Sequence, residues 1–178
     1  MTGFPVTPRQ TTFRAMSDTL MISVSGMRGI VGKDLTPELV ARHAAALGAW
    51  AKASGRPLVV LGRDARTSGP MFSRAAIAGL MSVGVDVIDV GVVPTPTVQL
   101  AVEHHHAGAG LILTASHNPI EWNALKFVGP DGIFLDSASG TAVRGLAARG
   151  PERPGWAGVG EGREDHDSMS RSMQLVMS

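Results

Sequence analysis

Basic and hydroxyl side chains are concentrated in loops that follow predicted strands. Four such loops are SGMRG (25–29), GRDARTS (62–68), VPTPT (93–97) and TASHNP (114–119). The side chains in or just beyond them that could do chemistry are Arg28, Arg63, Arg66, Ser116, His117, Asn118 and Lys126. Cationic donors, together with backbone N–H groups exposed by glycine, suit the binding of a phosphate. A serine among them could contact that phosphate or carry it covalently.

Simpler roles fit the same residues, and both readings stay open at this stage. Asp64 could pair with Arg66, and Ser-His-Asn-Pro (116–119) could be a turn, since Asn and Pro favour turn geometry. We interpret the triple histidine 104–106 as a solvated helix end, because adjacent residues do not share a helix face and no spaced partner suggests a metal. The chain has no cysteine, which excludes disulfides and thiolate metal sites.

Two familiar motifs are absent around these residues. Gly108-Ala109-Gly110 lacks the third glycine of a dinucleotide-binding loop and precedes a predicted strand. Ser116 has no G-x-S-x-G elbow, and its neighbour His117 is poorly placed to act as its base, because adjacent side chains diverge. An unrelated serine hydrolase is therefore a weak alternative, which labelling of Ser116 by an acyl-serine trap would test.

The elements that must position these loops alternate between strand and helix. Short apolar segments at 58–61, 85–90 and 110–114 predict buried strands, and a first strand is predicted at 20–25. Residues 26–34 are predicted as a glycine-rich loop, and 124–128 and 133–135 as a hairpin around 129–132. Helices are predicted from 37 to the stop at Gly55, from about 70 to Gly84, from 96 to 105, over 137–149 and over 165–177. This order predicts an α/β fold with a mostly parallel sheet, whose strand ends meet at one edge.

Length and composition bound the possible classes of protein. The 178 residues, 44% hydrophobic and 17% charged, suffice for one core and exclude a disordered chain. The net charge of +1 does not favour nucleic acid as a partner. No apolar run reaches the roughly 18 residues of a membrane span, so no membrane role is predicted, and a cytoplasmic location is expected. We predict a flexible leader at 1–19, a folded domain at 20–149, and a linker and helix at 150–178.

The loops together resemble those of the α-D-phosphohexomutases, the phosphoglucomutase/phosphomannomutase family. TASHNP followed by WNALKF (122–127) is similar to the family's phosphoserine signature, and SGMRG to its Ser-Gly-Ile-Arg-Gly loop. LTPE (35–38), the GRDAR-S loop and GVVPTPT (91–97) occur in the family's order and spacing. The resemblance covers about residues 21–135 and implies the fold of the family's first domain, a three-layer α/β/α arrangement around a mixed, mostly parallel sheet.

The resemblance implies a phosphosugar mutase that moves a phosphoryl group between the 1- and 6-positions of a hexose phosphate through a hexose bisphosphate. Ser116 would carry the phosphoryl group, while Arg28, His117 and Lys126 would complete the catalytic set. Residues assigned to substrate or phosphate binding are Ser25, Arg63, Arg66, Asn118 and Asn123. Mg²⁺ would bind through the phosphate on Ser116 and through a cluster of aspartates, since a hard cation prefers oxygen ligands.

Departures from the family pattern limit what this chain is expected to do alone. The Asp-x-Asp-Gly-Asp metal loop is absent, Ala124 stands where a glycine is typical, and Ile22-Ser23-Val24 replaces a Phe-Gly-Thr. Full members have four domains and this chain resembles only the first, so we expect it to be incomplete and inactive alone, with 150–178 leading toward a second domain. Surfaces that later domains normally cover could mediate self-association. The alternative is a non-catalytic module that binds a sugar phosphate or a protein through the arginine-rich edge.

Overall fold

A seven-stranded mixed sheet organises residues 19–177, the part of the chain that the computed structural model describes. The strands are β1 (Met21–Ser23), β2 (Gly26–Ile30), β3 (Leu58–Arg63), β4 (Asp86–Val92), β5 (Ala109–Leu113), β6 (Trp122–Val128) and β7 (Gly162–Glu164), in the spatial order β1-β2-β6-β5-β3-β4-β7. The neighbours of β3 and the β4–β7 pair are parallel, whereas the pairs on the β1 side of β5 are antiparallel. Apart from Thr19, the predicted leader lies outside the described residues.

Helices cover both faces of this sheet. They are α1 (Pro37–Ala53), α2 (Gly69–Met81), α3 (Thr95–His104), α4 (Ser137–Arg149) and α5 (Ser168–Met177), with a 3₁₀ turn at Trp156–Gly158. Helices α1, α2 and α4 bury one core with residues such as Leu47, Phe72 and Leu80, whereas α3 and α5 lie over a smaller one that includes Ile88 and Val98. The predicted three-layer α/β/α fold with a mixed sheet is confirmed. The sheet of residues 19–177 is not mostly parallel, however, because three of its strand pairs are parallel and three are antiparallel. No helix within 19–177 combines the length and apolarity needed to cross a bilayer.

Local signals account for the helix ends. The hydroxyl of Thr36 accepts a hydrogen bond from the backbone N–H of Leu39 at 3.4 Å, and Pro37 occupies the first turn of α1, where its missing N–H is harmless. Asp136 caps α4 in the same way by accepting from the N–H of Ser139 at 2.8 Å. The predicted bounds of α4 are therefore confirmed.

Three sequence predictions were wrong where long-range pairing decides the structure. Residues 26–30 form strand β2 instead of a loop, because the glycines let the backbone lie against β6. Residues 133–135 form no full strand: the turn at 129–132 is present, but it is followed only by an isolated bridge between Val128 and Phe134. Within the predicted linker and helix, residues 162–164 form β7, which pairs with β4 at the sheet edge.

The histidine segment agrees with the prediction of a solvated end at His104 and His106, which are exposed, and differs from it at His105. His105 is mostly buried, and its Nε2 lies 2.8 Å from a carboxylate oxygen of Asp165, just ahead of α5. This contact ties the end of α3 to the start of α5. The further role of 150–178 as a path toward another domain stays a prediction.

Candidate active site

Three neighbouring strands carry or precede the predicted reacting residues: Arg28 lies on β2, Lys126 lies on β6, and Ser116 follows β5. Arg28 on β2 pairs with Ala124 on β6, and the carbonyl of Ala124 accepts a 3.1 Å hydrogen bond from the N–H of Thr114, just after β5. Ser116 follows two residues later. Lys126 lies two positions from Ala124 and so shares a sheet face with Arg28. Arg28 and Lys126 therefore lie on one face of the sheet, next to the strand that leads into the Ser116 turn.

The two other loops end at the same edge. Arg63, the last residue of β3, pairs with Leu113 of β5 and Val92 of β4. The N–H of Asp64 donates to the carbonyl of Leu113 at 3.0 Å, and the N–H of Val93 donates to that of Arg63 at 3.0 Å. The parallel strands thus place the loops after β3, β4 and β5 at one edge, whereas most of the fourth segment, 25–29, lies in strand β2.

A surface cavity of about 430 Å³ contains both cations of the predicted reacting centre. Its lining includes Arg28, Lys126, Ser25 and Phe134. The ammonium of Lys126 lies 5.9 Å from the centroid of the Phe134 ring, within the range of a cation–π contact. The exposed Arg28 donates from Nε to the sulfur of Met21 at 3.1 Å. Two positive charges therefore face one cavity, which suits an anionic ligand.

Ser116 occupies an unusual backbone conformation. Its φ is +54°, and within residues 19–177 it shares a positive φ with only one other non-glycine residue, His106. The N–H of Ser116 donates to the hydroxyl of Thr114 at 3.1 Å, and the side chains of Ser116 and His117 are exposed. Residues 116–117 form a turn, one of the readings that the sequence left open. The turn presents the serine hydroxyl to solvent at the end of β5.

The guanidinium of Arg66 points into this turn instead of into the cavity. Its Nε donates to Asp64 at 3.1 Å, so the pairing considered in the sequence analysis is present. Its two terminal nitrogens donate to backbone carbonyls of the segment that carries the serine, namely those of Ser116, Asn118, Pro119 and Trp122. These contacts engage the donors of Arg66 within the protein. Its role in binding phosphate stays a prediction.

Asn123 is fully buried and joins β6 to the loop after β3. Its Nδ2 donates to the hydroxyl of Ser68 at 2.8 Å, and its Oδ1 accepts from the N–H of Ala124 at 2.8 Å. Arg63 is half-buried and donates to the carbonyl of Asp64 at 3.3 Å. The substrate-binding roles predicted for Asn123 and Arg63 are not tested by these contacts, but the amide of Asn123 is engaged within the protein.

Sequence reasoning missed Thr114 and Ser68, whose hydroxyls hold the loops in place. The spacing Thr114-x-Ser116 is a signal for the first, since a threonine hydroxyl commonly accepts from an N–H two residues further on. The contact of Ser68 with Asn123 spans 55 residues and leaves no local signal.

Comparison with solved structures defines the class of protein. The fold matches a crystal structure of a phosphoglucomutase/phosphomannomutase family protein from Burkholderia thailandensis, with a TM-score of 0.75 and 27% identity over 89% of this chain and 36% of that one.

Sequence comparison assigns the family. Residues 20–153 match the family described as phosphoglucomutase/phosphomannomutase, alpha/beta/alpha domain I, and the chain belongs to that family. It is 43% identical over 143 residues to a phosphoglucomutase/phosphomannomutase of Thermococcus kodakarensis, covering 79% of this chain and 31% of the relative. It is 38% identical over 164 residues to a phosphoglucosamine mutase of Mycolicibacterium gilvum, covering 88% of this chain and 36% of that relative. The chain thus spans about a third of the length of these curated relatives.

Proposed function

We propose that this chain is the phosphoserine-bearing part of a phosphohexomutase, in which Ser116 carries the phosphoryl group that moves between the 1- and 6-positions of a hexose phosphate. The observation that carries the proposal is the placement of the exposed Ser116 turn after β5, next to the strands that hold Arg28 and Lys126. Membership of the family supports the reaction class, and its relatives include mutases of different names, so the particular sugar is left open.

The reaction balances as two phosphoryl transfers. In the first, the bond between the Ser116 oxygen and phosphorus breaks while a sugar hydroxyl oxygen bonds to phosphorus; that hydroxyl loses a proton and the serine oxygen gains one. The resulting hexose bisphosphate turns round and returns its other phosphoryl group to Ser116. Arg28 and Lys126 stabilise the negative charge of the group in transfer, which is the main demand of such chemistry. His117 and Asn118 flank the phosphate.

Magnesium fits this chain only in part. No group of three or more His, Asp or Glu side chains suited to a metal occurs within residues 19–177. The phosphate on Ser116 would therefore be the chain's own contribution to an Mg²⁺ site, and we assign no step to the metal. Aspartate ligands and further sugar contacts would come from the part of a longer mutase that this chain does not span. As part of the proposed mutase function, we also propose a cytoplasmic location and self-association of the chain.

A domain replacement tests the proposal. Residues 20–153 would replace the matching domain of the Thermococcus kodakarensis relative, and hexose phosphate interconversion would be measured with and without Ser116→Ala. We expect an active hybrid that carries one phosphoryl group on Ser116 by intact-mass and peptide mapping, and we expect Ser116→Ala to remove both. Activity that survives Ser116→Ala, or a phosphoryl group mapped to another residue, would contradict the assignment.

The isolated 178-residue chain separates the proposal from the non-catalytic alternative. Incubated with a hexose 1,6-bisphosphate and Mg²⁺, it should show little or no phosphorylation and no turnover. The cavity holding Arg28 and Lys126 favours sugar phosphate binding as the second candidate function. A bisphosphate that raises the unfolding temperature of the chain, combined with an inactive but folded hybrid, would support that module over the mutase domain.

A further inference from the structure

Arg66 uses every donor of its guanidinium inside the protein. A guanidinium has five N–H groups. One meets Asp64 at 3.1 Å, and the other four are matched by carbonyls of Ser116 at 3.0 Å, Asn118 at 2.7 Å, Pro119 at 2.6 Å and Trp122 at 3.1 Å. The side chain is only 11% exposed. A cation so placed, with all donors satisfied, is held in one orientation and has none left for a ligand.

Asp64, which holds Arg66, is itself hydrogen-bonded to the sheet. The N–H of Asp64 donates to the carbonyl of Leu113, the last residue of β5. The carboxylate of Asp64 accepts from both the backbone N–H and the Nε of Arg66, each at 3.1 Å. Through Asp64, the position of the guanidinium is fixed relative to the end of β5, the strand that leads into the Ser116 turn.

The four carbonyls span the turn that contains the serine. A single-residue left-handed conformation costs a non-glycine residue about 1–2 kcal/mol, so the φ of +54° at Ser116 needs support from its surroundings. The N–H of Ser116 is held by Thr114 on one side, and its carbonyl is held by Arg66 on the other. Together these contacts leave the peptide units around Ser116 little freedom to rotate.

We infer that Arg66 is a positioning residue. The hydrogen bonds from its guanidinium to four backbone carbonyls within 116–122 hold Ser116 in the left-handed conformation. They thereby set where the serine oxygen and its phosphate lie. The claim about the backbone conformation of Ser116 rests only on the hydrogen bonds of Arg66 and Thr114. The consequence for phosphoryl transfer rests on the proposed function. A lysine at this position keeps the positive charge but cannot form all of these hydrogen bonds at once, so arginine and lysine should not be interchangeable here.

The test compares Arg66→Lys and Arg66→Ala with Arg42→Ala in the full chain. Arg42 is a matched control, because it also donates to backbone carbonyls, those of Ala147 and Ala148 at the end of α4. The readouts are the Cα and Cβ chemical shifts of Ser116 and the amide exchange rates over 114–122. We expect both Arg66 variants to move the Ser116 shifts away from left-handed values and to speed exchange at least about tenfold, while Arg42→Ala changes neither.

The conformational result decides the inference by itself. Unchanged shifts and exchange in Arg66→Lys would overturn it, since charge alone would then suffice. If Arg66→Ala fails to fold, Arg66→Lys carries the test, with its amide spectrum outside the turn as the check on folding.

The hybrid mutase gives an independent kinetic readout. Misplacing a reacting group by about 1 Å can cost roughly a hundredfold in rate, so Arg66→Lys should lower kcat by about that factor with little change in KM. A raised KM at unchanged kcat would show that Arg66 contacts the sugar phosphate, and would overturn the inference. A wild-type hybrid without activity would refute the proposed function and leave the shifts of Ser116 to decide the role of Arg66.

Discussion

The side-chain amide of Asn123 donates a 2.8 Å hydrogen bond to the hydroxyl of Ser68, across 55 residues of sequence. One end of this contact lies in the loop after β3, and the other lies in β6, next to the Ala124 that pairs with Arg28. The same amide accepts from the N–H of Ala124. Asn123 thus connects β6 to the loop after β3, from a fully buried position.

We expect Asn123→Ala to lower the free energy of unfolding by about 2–3 kcal/mol, because it leaves buried polar groups without partners. Ser68→Ala removes one partner only and should cost about 1 kcal/mol. A double-mutant cycle by urea unfolding measures the coupling, which we expect to exceed 0.5 kcal/mol for residues in direct contact, on the order found for such pairs. Additive effects of the two substitutions would show that the bond contributes nothing specific.

Gly26 is required by the close approach of β2 to β6. Its φ is +148°, and a Cβ built there would overlap the carbonyl oxygen of Leu125. Gly26→Ala should therefore combine backbone strain with overpacking and cost more than about 2 kcal/mol. It should also displace Lys126, its partner in the strand pair.

Gly32 offers a matched control for this substitution. It also has a positive φ, of +77°, but a Cβ there meets nothing within 4 Å. Gly32→Ala should cost only the conformational strain, about 1–2 kcal/mol. Equal losses at the two glycines, measured by urea unfolding, would contradict the close-approach argument.

We expect Lys126 to affect the rate of phosphoryl transfer more than the free energy of unfolding. Its ammonium contacts the face of Phe134 at the cavity that also contains Arg28. In the hybrid mutase, Lys126→Gln should lower kcat about 10²–10³-fold, as removal of one group that stabilises transition-state charge commonly does. Lys33→Gln, in the loop after β2 but outside the cavity lining, is the control and should leave kcat unchanged. A full-rate Lys126→Gln enzyme would remove Lys126 from the proposed reacting centre.

The sequence predicted the elements whose signals are local. The bounds of α4 follow from Asp136 as cap and from Gly150, whose φ of +79° ends the helix. The meeting of the loops after β3, β4 and β5 follows from strand patterns and from the rule that parallel strands end at one edge. These two kinds of information do not depend on contacts between particular distant residues.

The wrong or incomplete predictions all involve distant partners. Gly26–Ile30 looks like a loop by composition, and only its pairing with β6 makes it a strand. Gly162–Glu164 has no apolar residue and is a strand only because β4 offers a free edge. Arg66 has the residue type of a phosphate ligand, but its four carbonyl partners lie 50 to 56 residues further along the chain. Side-chain type alone could not tell these two uses apart.

Asp165 should make the stability of the domain depend on pH below about 4. Burial by itself raises the pKa of its carboxyl, but hydrogen bonds from Ser168, His105 and the N–H of Asp167, with the charge of Arg171, lower that pKa well below the ordinary range. Because the pKa is lower in the folded than in the unfolded chain, where it is about 3.9, the unfolded chain takes up the proton first as pH falls. The stabilisation is therefore complete above about pH 4 and decreases below it.

Asp165→Asn tests this dependence. At pH 7 the variant should unfold at a lower urea concentration than the wild type, and the difference should narrow as pH falls through the range below 4. Asp167→Asn is the neighbouring control, since Asp167 contributes its backbone N–H to this contact. A constant difference between wild type and Asp165→Asn from pH 7 to pH 2 would argue against the ionised carboxyl as the source.

The backbone of Ser116 predicts that glycine at this position stabilises the fold. The left-handed conformation costs a residue with a Cβ about 1–2 kcal/mol, and a more flexible unfolded chain offsets part of the gain from glycine. Ser116→Gly should thus raise the free energy of unfolding by about 0.5–1 kcal/mol, whereas Ser116→Ala, which keeps the Cβ, should change it little. His106→Gly, at a φ of +50°, should give a similar gain outside the site. Urea unfolding that ranks Ser116→Gly no higher than Ser116→Ala would show that the turn is unstrained.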